Sequence, residues 1–211
     1  MPIYDADRAS AREDLCRFLA ACHYQLGPEF AEEMVFDSMF NAAIRIHPDL
    51  AAYAKRLGDL YASEGTEELL LDYTRLFLGP TEAIALPYGS VWLEKDKTLM
   101  GDSTMAVQAL YAEGGFDIDE AFRELPDHIA AELEFLYLLI FRENEARREG
   151  NVDALKARAA LRKRFLEEHL GRWIEPFAAA VVAGAQSGFY RALGEFTARF
   201  VRMEAEDKYA D

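Results

Sequence analysis

The sequence is poor in cysteine, in long apolar runs and in basic charge, and each shortage excludes something. Its two cysteines, Cys16 and Cys22, lie six residues apart in one helical pattern. That spacing sets them about 240° apart around a helix, so a bridge between them is not expected. There is no CxxC pair and no zinc-ribbon spacing, and two unpaired thiols suit a reducing compartment. No stretch of 18 uncharged apolar residues exists, so no membrane span is expected. The opening stretch MPIYDADRASARED has no apolar signal core, and the expected location is the cytoplasm. Lysine and arginine number 23 against 38 aspartates and glutamates, a formal net charge of −15 among 211 residues. That balance disfavours nucleic acid and anionic membranes as partners, and it suits a basic one.

Catalytic signatures are missing too. No P-loop, no GxGxxG after a strand, no GxSxG elbow and no HExxH occurs. The four histidines, His23, His47, His128 and His169, follow no recognised ligand spacing. The paired Glu-x-x-His motifs of a di-metal bundle are absent. The expectation is no catalytic residue, no metal and no cofactor.

Helical periodicity, in contrast, runs through nearly the whole chain. Leu15, Phe18, Leu19, Cys22 and Leu26 recur at spacings of three and four before Gly27–Pro28 interrupts. Pro48 opens a second stripe of Leu50, Tyr53, Leu57, Leu60 and Tyr61. Thr66 is the expected cap of a third helix that stops at Gly79–Pro80. Ser103 is expected to cap a short helix ending at Gly114–Gly115, and Asn151 a charged helix through His169. The last helix carries Phe189, Leu193, Phe196, Phe200 and Met203 on one face. No strand or repeat is visible. The reading is an all-α bundle of about nine helices. It is taken as a single domain over 1–211, with a possible N-terminal lobe 1–78, an irregular connection 79–103 and a C-terminal lobe 104–211. That connection holds two prolines, three glycines, Tyr88 and Trp92. A connection of this length is usually functional or a linker, and its aromatics argue against a plain linker.

The stretch LPDHIAAELEFLYLLIF, residues 125–141, stands out. On a helical wheel Ile129, Leu133, Leu136 and Ile140 form one stripe, and Phe135, Leu138 and Leu139 extend it. A helix apolar nearly all round belongs in the interior, so Glu132 needs a partner there. His128, one turn earlier, is the expected one, held protonated by the carboxylate. Pro126 suits the first turn and Asp127 its positive end. Asp127 and His128 are expected at the exposed end, within reach of a ligand. The pattern alone leaves open a fold-holding Glu–His pair, a ligand contact, or a metal-dependent hydrolase using His128 and Glu132. A basic strip of Lys156, Arg158, Arg162, Lys163 and Arg164 is dispersed around its helix and followed by Glu167 and Glu168. It reads as a solvated face.

Five segments occur in a telling order: YTRLFLGP (73–80), LPYGSVW (86–92), GDST (101–104), LPDHIAAELEFLYLL (125–139) and FLEEHLGRWIEPF (165–177). Together they resemble the TorD/DmsD family of cytoplasmic molybdoenzyme maturation chaperones. The resemblance implies an all-helical fold without catalysis. It implies as partner the apo catalytic subunit of a molybdopterin oxidoreductase, often held through its twin-arginine leader until the cofactor is inserted. For the leader- or client-binding site it implies Pro87, Tyr88, Ser90, Trp92, Glu124, Pro126, Asp127, His128 and Glu132. Some members carry an acid directly before Pro-Asp-His; here Leu125 stands there and Glu124 comes one residue earlier. A general scaffold without leader specificity is the alternative, and both monomer and dimer are compatible with the sequence.

Overall fold

The computed structural model describes residues 6–79, 83–118 and 123–206. The described residues form α1 (Ala6–Cys22), α2 (Glu29–Glu32), α3 (Val35–Ile46), α4 (Pro48–Glu64), α5 (Thr66–Tyr73), α6 (Gly89–Leu93), α7 (Asp102–Gly114), α8 (Ile129–Arg148), α9 (Val152–Phe165), α10 (Gly171–Gly184) and α11 (Gly188–Ala205). A π-helical turn, Thr74–Leu78, extends α5, and a second, Leu166–Leu170, joins α9 to α10 without a break. The described residues thus make ten continuous helices and no strand, against the nine or so expected. One expected boundary, after His169, is absent. At Gly171 a Cβ would collide with the carbonyl oxygen of Leu166, so glycine lets the π turn run on.

Several helix ends follow the expected chemistry. Pro48 starts α4, and the His47 ring accepts a hydrogen bond from the Asp49 amide at 3.1 Å. Asn151 caps α9 by accepting from the Ala154 amide at 3.1 Å. Other ends differ. Thr66 is the first helical residue, and Gly65, at φ +79°, precedes it. Ser103 does not cap α7; its amide donates to Glu94 Oε1 at 2.8 Å, so a carboxylate from the preceding segment serves that end. Pro126 lies in a turn before α8, which begins at Ile129 with His128 as its cap. Of the expected stop after α5, Gly79 takes φ +54° and Pro80 lies outside the described residues. Residues 119–122 of the irregular stretch before α8 are outside them as well.

The core is one cluster of buried side chains reaching from Ala11 to Met203. Helix α8 packs on α1 and α9, and α11 packs on α4 and α10. Ile129, Leu133, Leu136 and Ile140 of α8 are all buried, as are Phe189, Leu193, Phe196, Phe200 and Met203 of α11. Each such side chain contributes about 1.5–3 kcal/mol by leaving water. Cys16 and Cys22 are both buried and unbridged. Among the described residues no helix is long and apolar enough to cross a membrane.

Four charged side chains are sealed between α1, α8, α9 and α11. Arg12 reaches Glu204 at 2.5 Å, and Arg162 reaches Glu143 at 2.6 Å and Glu204 at 3.5 Å. Arg162 therefore departs from the solvated strip expected of it, whereas Lys156, Lys163 and Arg164 are exposed. Removing one member of a buried pair leaves an uncompensated charge. Glu204→Ala is expected to cost about 3–5 kcal/mol of stability by urea unfolding. Lys156→Ala, on the surface, is expected to stay within about 0.5 kcal/mol of the parent.

Candidate functional site

The segment from Pro87 to Trp92 is laid against the start of α8 by backbone bonds. The Ile129 amide donates to Pro87 O and the Gly89 amide to Asp127 O, both at 2.8 Å. This short antiparallel bridge pairs Tyr88 with His128. Pro87 carries no N–H, so its carbonyl is all it offers to the pairing. The Asp127 carboxylate turns inward. Its Oδ2 accepts from the Ser90 amide at 2.7 Å and from Thr104 Oγ1 at 3.2 Å, tying α6 and α7 to the entry of α8. Asp127 Oδ1 and Ser90 Oγ are buried with no partner among the described residues.

Glu132 is fully buried, as its place on the wheel requires, but His128 is not its partner. His169 Nε2 lies 2.8 Å from Glu132 Oε1, and Trp173 Nε1 donates to Oε2 at 3.0 Å. Both come from the π turn and α10. Gly89 lies directly over this trio: a Cβ there would stand 3.0 Å from Glu132 Oε1 and from Trp173 Nε1. Burial disfavours the His169 cation, yet the Glu132 charge and hydrogen bond outweigh it, and its pKa is raised.

The Nδ1 of His128 accepts a hydrogen bond from the Ala130 amide at 3.1 Å, which makes the ring the cap of α8. Burial lowers its pKa to about 4, against the opposing pull of Glu124 and Asp127. His128 is therefore neutral at pH 7 and not the imidazolium expected from an adjacent glutamate. The expectation that Asp127 and His128 sit at an exposed helix end is also corrected, since both are buried. The hydrolase reading of His128 with Glu132 loses its basis, because the two side chains serve different partners. Among the described residues no three His, Cys, Asp or Glu side chains assemble as a metal set.

What reaches the surface is a lip around the His128 ring. Tyr24 stacks on that ring with centroids 6.0 Å apart, and Tyr88 meets it edge-on at 5.5 Å. The Tyr24 hydroxyl donates to Glu134 Oε1 at 3.0 Å, and the Tyr88 hydroxyl to Glu124 Oε2 at 2.6 Å. Burial, together with these carboxylates, raises the pKa of both phenols. Trp92 is half-buried, its indole donating to Leu86 O at 2.9 Å. Pro126 is half-buried, its carbonyl accepting from the Tyr111 hydroxyl at 2.9 Å. Pro87, Ser90, Asp127, His128 and Glu132 thus lie beneath the surface, whereas Tyr88, Trp92, Glu124 and Pro126 reach it in part. Sequence reasoning missed Tyr24, Glu134, Gly89, Thr104, His169 and Trp173 as members. The segments GDST and HLGRW hold three of them and were a usable signal; Tyr24 had none, being 110 residues from Glu134.

Between its folded value of about 4 and its unfolded value of 6.5, His128 is protonated only in the unfolded chain. Stability therefore rises with pH across that window and falls on acidification. The contribution is about 2 kcal/mol between pH 7 and pH 5. Buried His23, its pKa lowered to about 3, adds a change of the same sign. His128→Asn keeps an acceptor for the Ala130 amide but cannot titrate. Urea unfolding at pH 7 and pH 5 is expected to show a loss smaller by about 2 kcal/mol in this variant.

The profile of the nitrate reductase delta subunit family matches residues 44–179. A chaperone protein TorD from Photobacterium profundum is 30% identical over 189 residues, covering 86% of this chain and 86% of that protein. A chaperone protein TorD from Vibrio vulnificus is 28% identical over 79% of this chain and 75% of its own. The Tat proofreading chaperone DmsD of Salmonella typhi is 31% identical over 64% of this chain and 60% of its own. The crystal structure of a protein from Archaeoglobus fulgidus superposes with a TM-score of 0.50 at 19% identity. It covers 99% of this chain and 98% of that one, and it shares the fold. By profile and by sequence, the chain belongs to the nitrate reductase delta subunit family and, within it, to the TorD/DmsD chaperones.

Proposed function

We propose that this protein is a non-enzymatic, cytoplasmic maturation chaperone. It holds the apo catalytic subunit of a molybdopterin oxidoreductase, and grips the subunit's twin-arginine leader, until the cofactor has been inserted. The observation that carries this reading is the lip, where two carboxylates, Glu124 and Glu134, flank the stacked rings of Tyr24, His128 and Tyr88. A leader that joins two guanidiniums to an apolar stretch asks for such a surface. Tyrosine engages one oxygen of each carboxylate, and a carboxylate accepts about four hydrogen bonds in all, so room remains for an arginine fork. A guanidinium over a tyrosine face adds about 0.5–2 kcal/mol. The net charge of −15 speeds the encounter with a basic segment.

In this reading the nine residues implied by the resemblance divide by depth. Glu124, Tyr88, Trp92 and Pro126 meet the leader. Asp127, Ser90, Pro87, His128 and Glu132 are positioning residues that hold the lip in register from beneath. Neutral His128, buried between Tyr24 and Tyr88, puts no positive charge beneath the carboxylates that would repel an arginine.

Binding of a fluorescent twin-arginine leader peptide, followed by anisotropy, tests the reading. Replacing both arginines by glutamine is expected to weaken binding at least about tenfold, one charge-assisted contact being worth that much. Glu124→Gln with Glu134→Gln is expected to do the same and to flatten the salt dependence. Equal affinity for both peptides, on parent and double variant alike, would remove the leader from the site and leave only an adaptor role.

A further inference from the structure

The lip carries its own hydrogen-bond donors. Each of its carboxylates is met by a tyrosine hydroxyl, Glu124 by Tyr88 at 2.6 Å and Glu134 by Tyr24 at 3.0 Å. The four side chains come from separate stretches of chain. Tyr24 follows α1, Tyr88 precedes α6, Glu124 precedes α8 and Glu134 lies within it. Both phenol rings rest on the buried ring of His128, Tyr24 against its face and Tyr88 edge-on. Burial raises the pKa of the Tyr24 phenol, and the charges of Glu134 and Glu124 add to the rise, so both carboxylates lie within electrostatic reach of that one ring.

A part-buried carboxylate is costly without a donor, and the cost shows at Glu134. Burial raises its pKa, and the bond from the Tyr24 hydroxyl works against that rise. The hydroxyl thus does for the carboxylate what water does at an open surface. A phenol has a single proton, and here it is given to the protein's own glutamate. A guanidinium fork can land beside it, but it meets an oxygen whose charge is already shared. The guanidinium is the stronger donor for the same oxygens, since it offers paired bonds and a full positive charge.

We propose that Tyr24 and Tyr88 are internal stand-ins for the leader's arginines, holding Glu134 and Glu124 while the lip is empty and yielding them when guanidiniums arrive. The inference rests on the leader-capture reading and gives the two hydroxyls the role of competitors in it. The ring faces still attract the arginines; only the hydroxyls oppose them. Affinity is thereby held below what two bare carboxylates give, which eases the release of cargo that has to be handed on.

Phenylalanine keeps each ring and removes its hydroxyl. Tyr24→Phe with Tyr88→Phe is expected to bind the native twin-arginine leader about tenfold more tightly than the parent, measured by anisotropy. The empty double variant is expected to melt at a lower temperature, because two carboxylates lose their donors. Saturating leader is expected to raise its midpoint by more than it raises the parent's. A leader with both arginines replaced by glutamine, a neutral and weaker donor, is expected to gain less than about twofold. Equal or weaker binding of the native leader by the double variant overturns the stand-in assignment and leaves the leader-capture reading in place. An equal gain for the glutamine leader overturns the assignment as well. Binding of the native leader by neither protein overturns both. A second measurement uses the parent protein with isotope-labelled tyrosine. The Cζ signals of Tyr24 and Tyr88, which follow the strength of the hydroxyl bond, are expected to move on adding the native leader. Still signals while that leader binds overturn the assignment.

Discussion

A buried carboxylate is costly unless it is hydrogen-bonded, and the two bonds that Asp127 accepts through Oδ2 are the constraint on which the site depends. One of its oxygens takes both the Ser90 amide and the Thr104 hydroxyl. Those two donors belong to α6 and α7, so a single side chain sets both helices against the entry of α8. The flanking backbone bonds at Pro87 and Gly89 extend the same fastening. Tyr88 can reach Glu124, and stand edge-on to His128, only because the strand-like segment that carries it is held in this register. The lip therefore rests on polar chemistry that never meets solvent.

The same economy appears one layer deeper. Glu132 is held by His169 and Trp173, and Gly89 lies on top of them with no space for a side chain. His169 is brought to the carboxylate by the π turn Leu166–Leu170, whose wider winding re-aims residues at that point of the helix. Further along α8 the Arg12, Glu143, Arg162 and Glu204 cluster ties four helices with matched charges. Buried ionic groups of this kind contribute little net stability, yet each one punishes a misplaced helix. That penalty is a physical reason for a chain rich in interchangeable leucines and alanines to settle in one packing.

The division of labour between buried and exposed groups bears on how a chaperone of this kind lets go. In the leader-capture reading, affinity would come from a few carboxylates and rings at the surface, which are screened by salt and shared with tyrosine hydroxyls. The paired scaffold beneath would then need no rearrangement for binding or release.

Much was written plainly in the sequence. The helical period of 3.6 residues, the proline and glycine punctuation, the buried stripe of α11 and the all-round burial of α8 follow from which residues are apolar and how they are spaced. Family membership followed from the order of five short segments. The partners of the polar residues did not. Spacing of four along α8 pointed Glu132 toward His128, but that rule knows only one helix, and the His128 ring had already been taken by the Ala130 amide. The true partner stands 37 residues away on another helix. Tyr24 with Glu134, and Arg162 with Glu204, are likewise contacts between segments distant in the chain. Periodicity reports which face of a helix turns inward, and only the packing of one helix on another decides what that face meets.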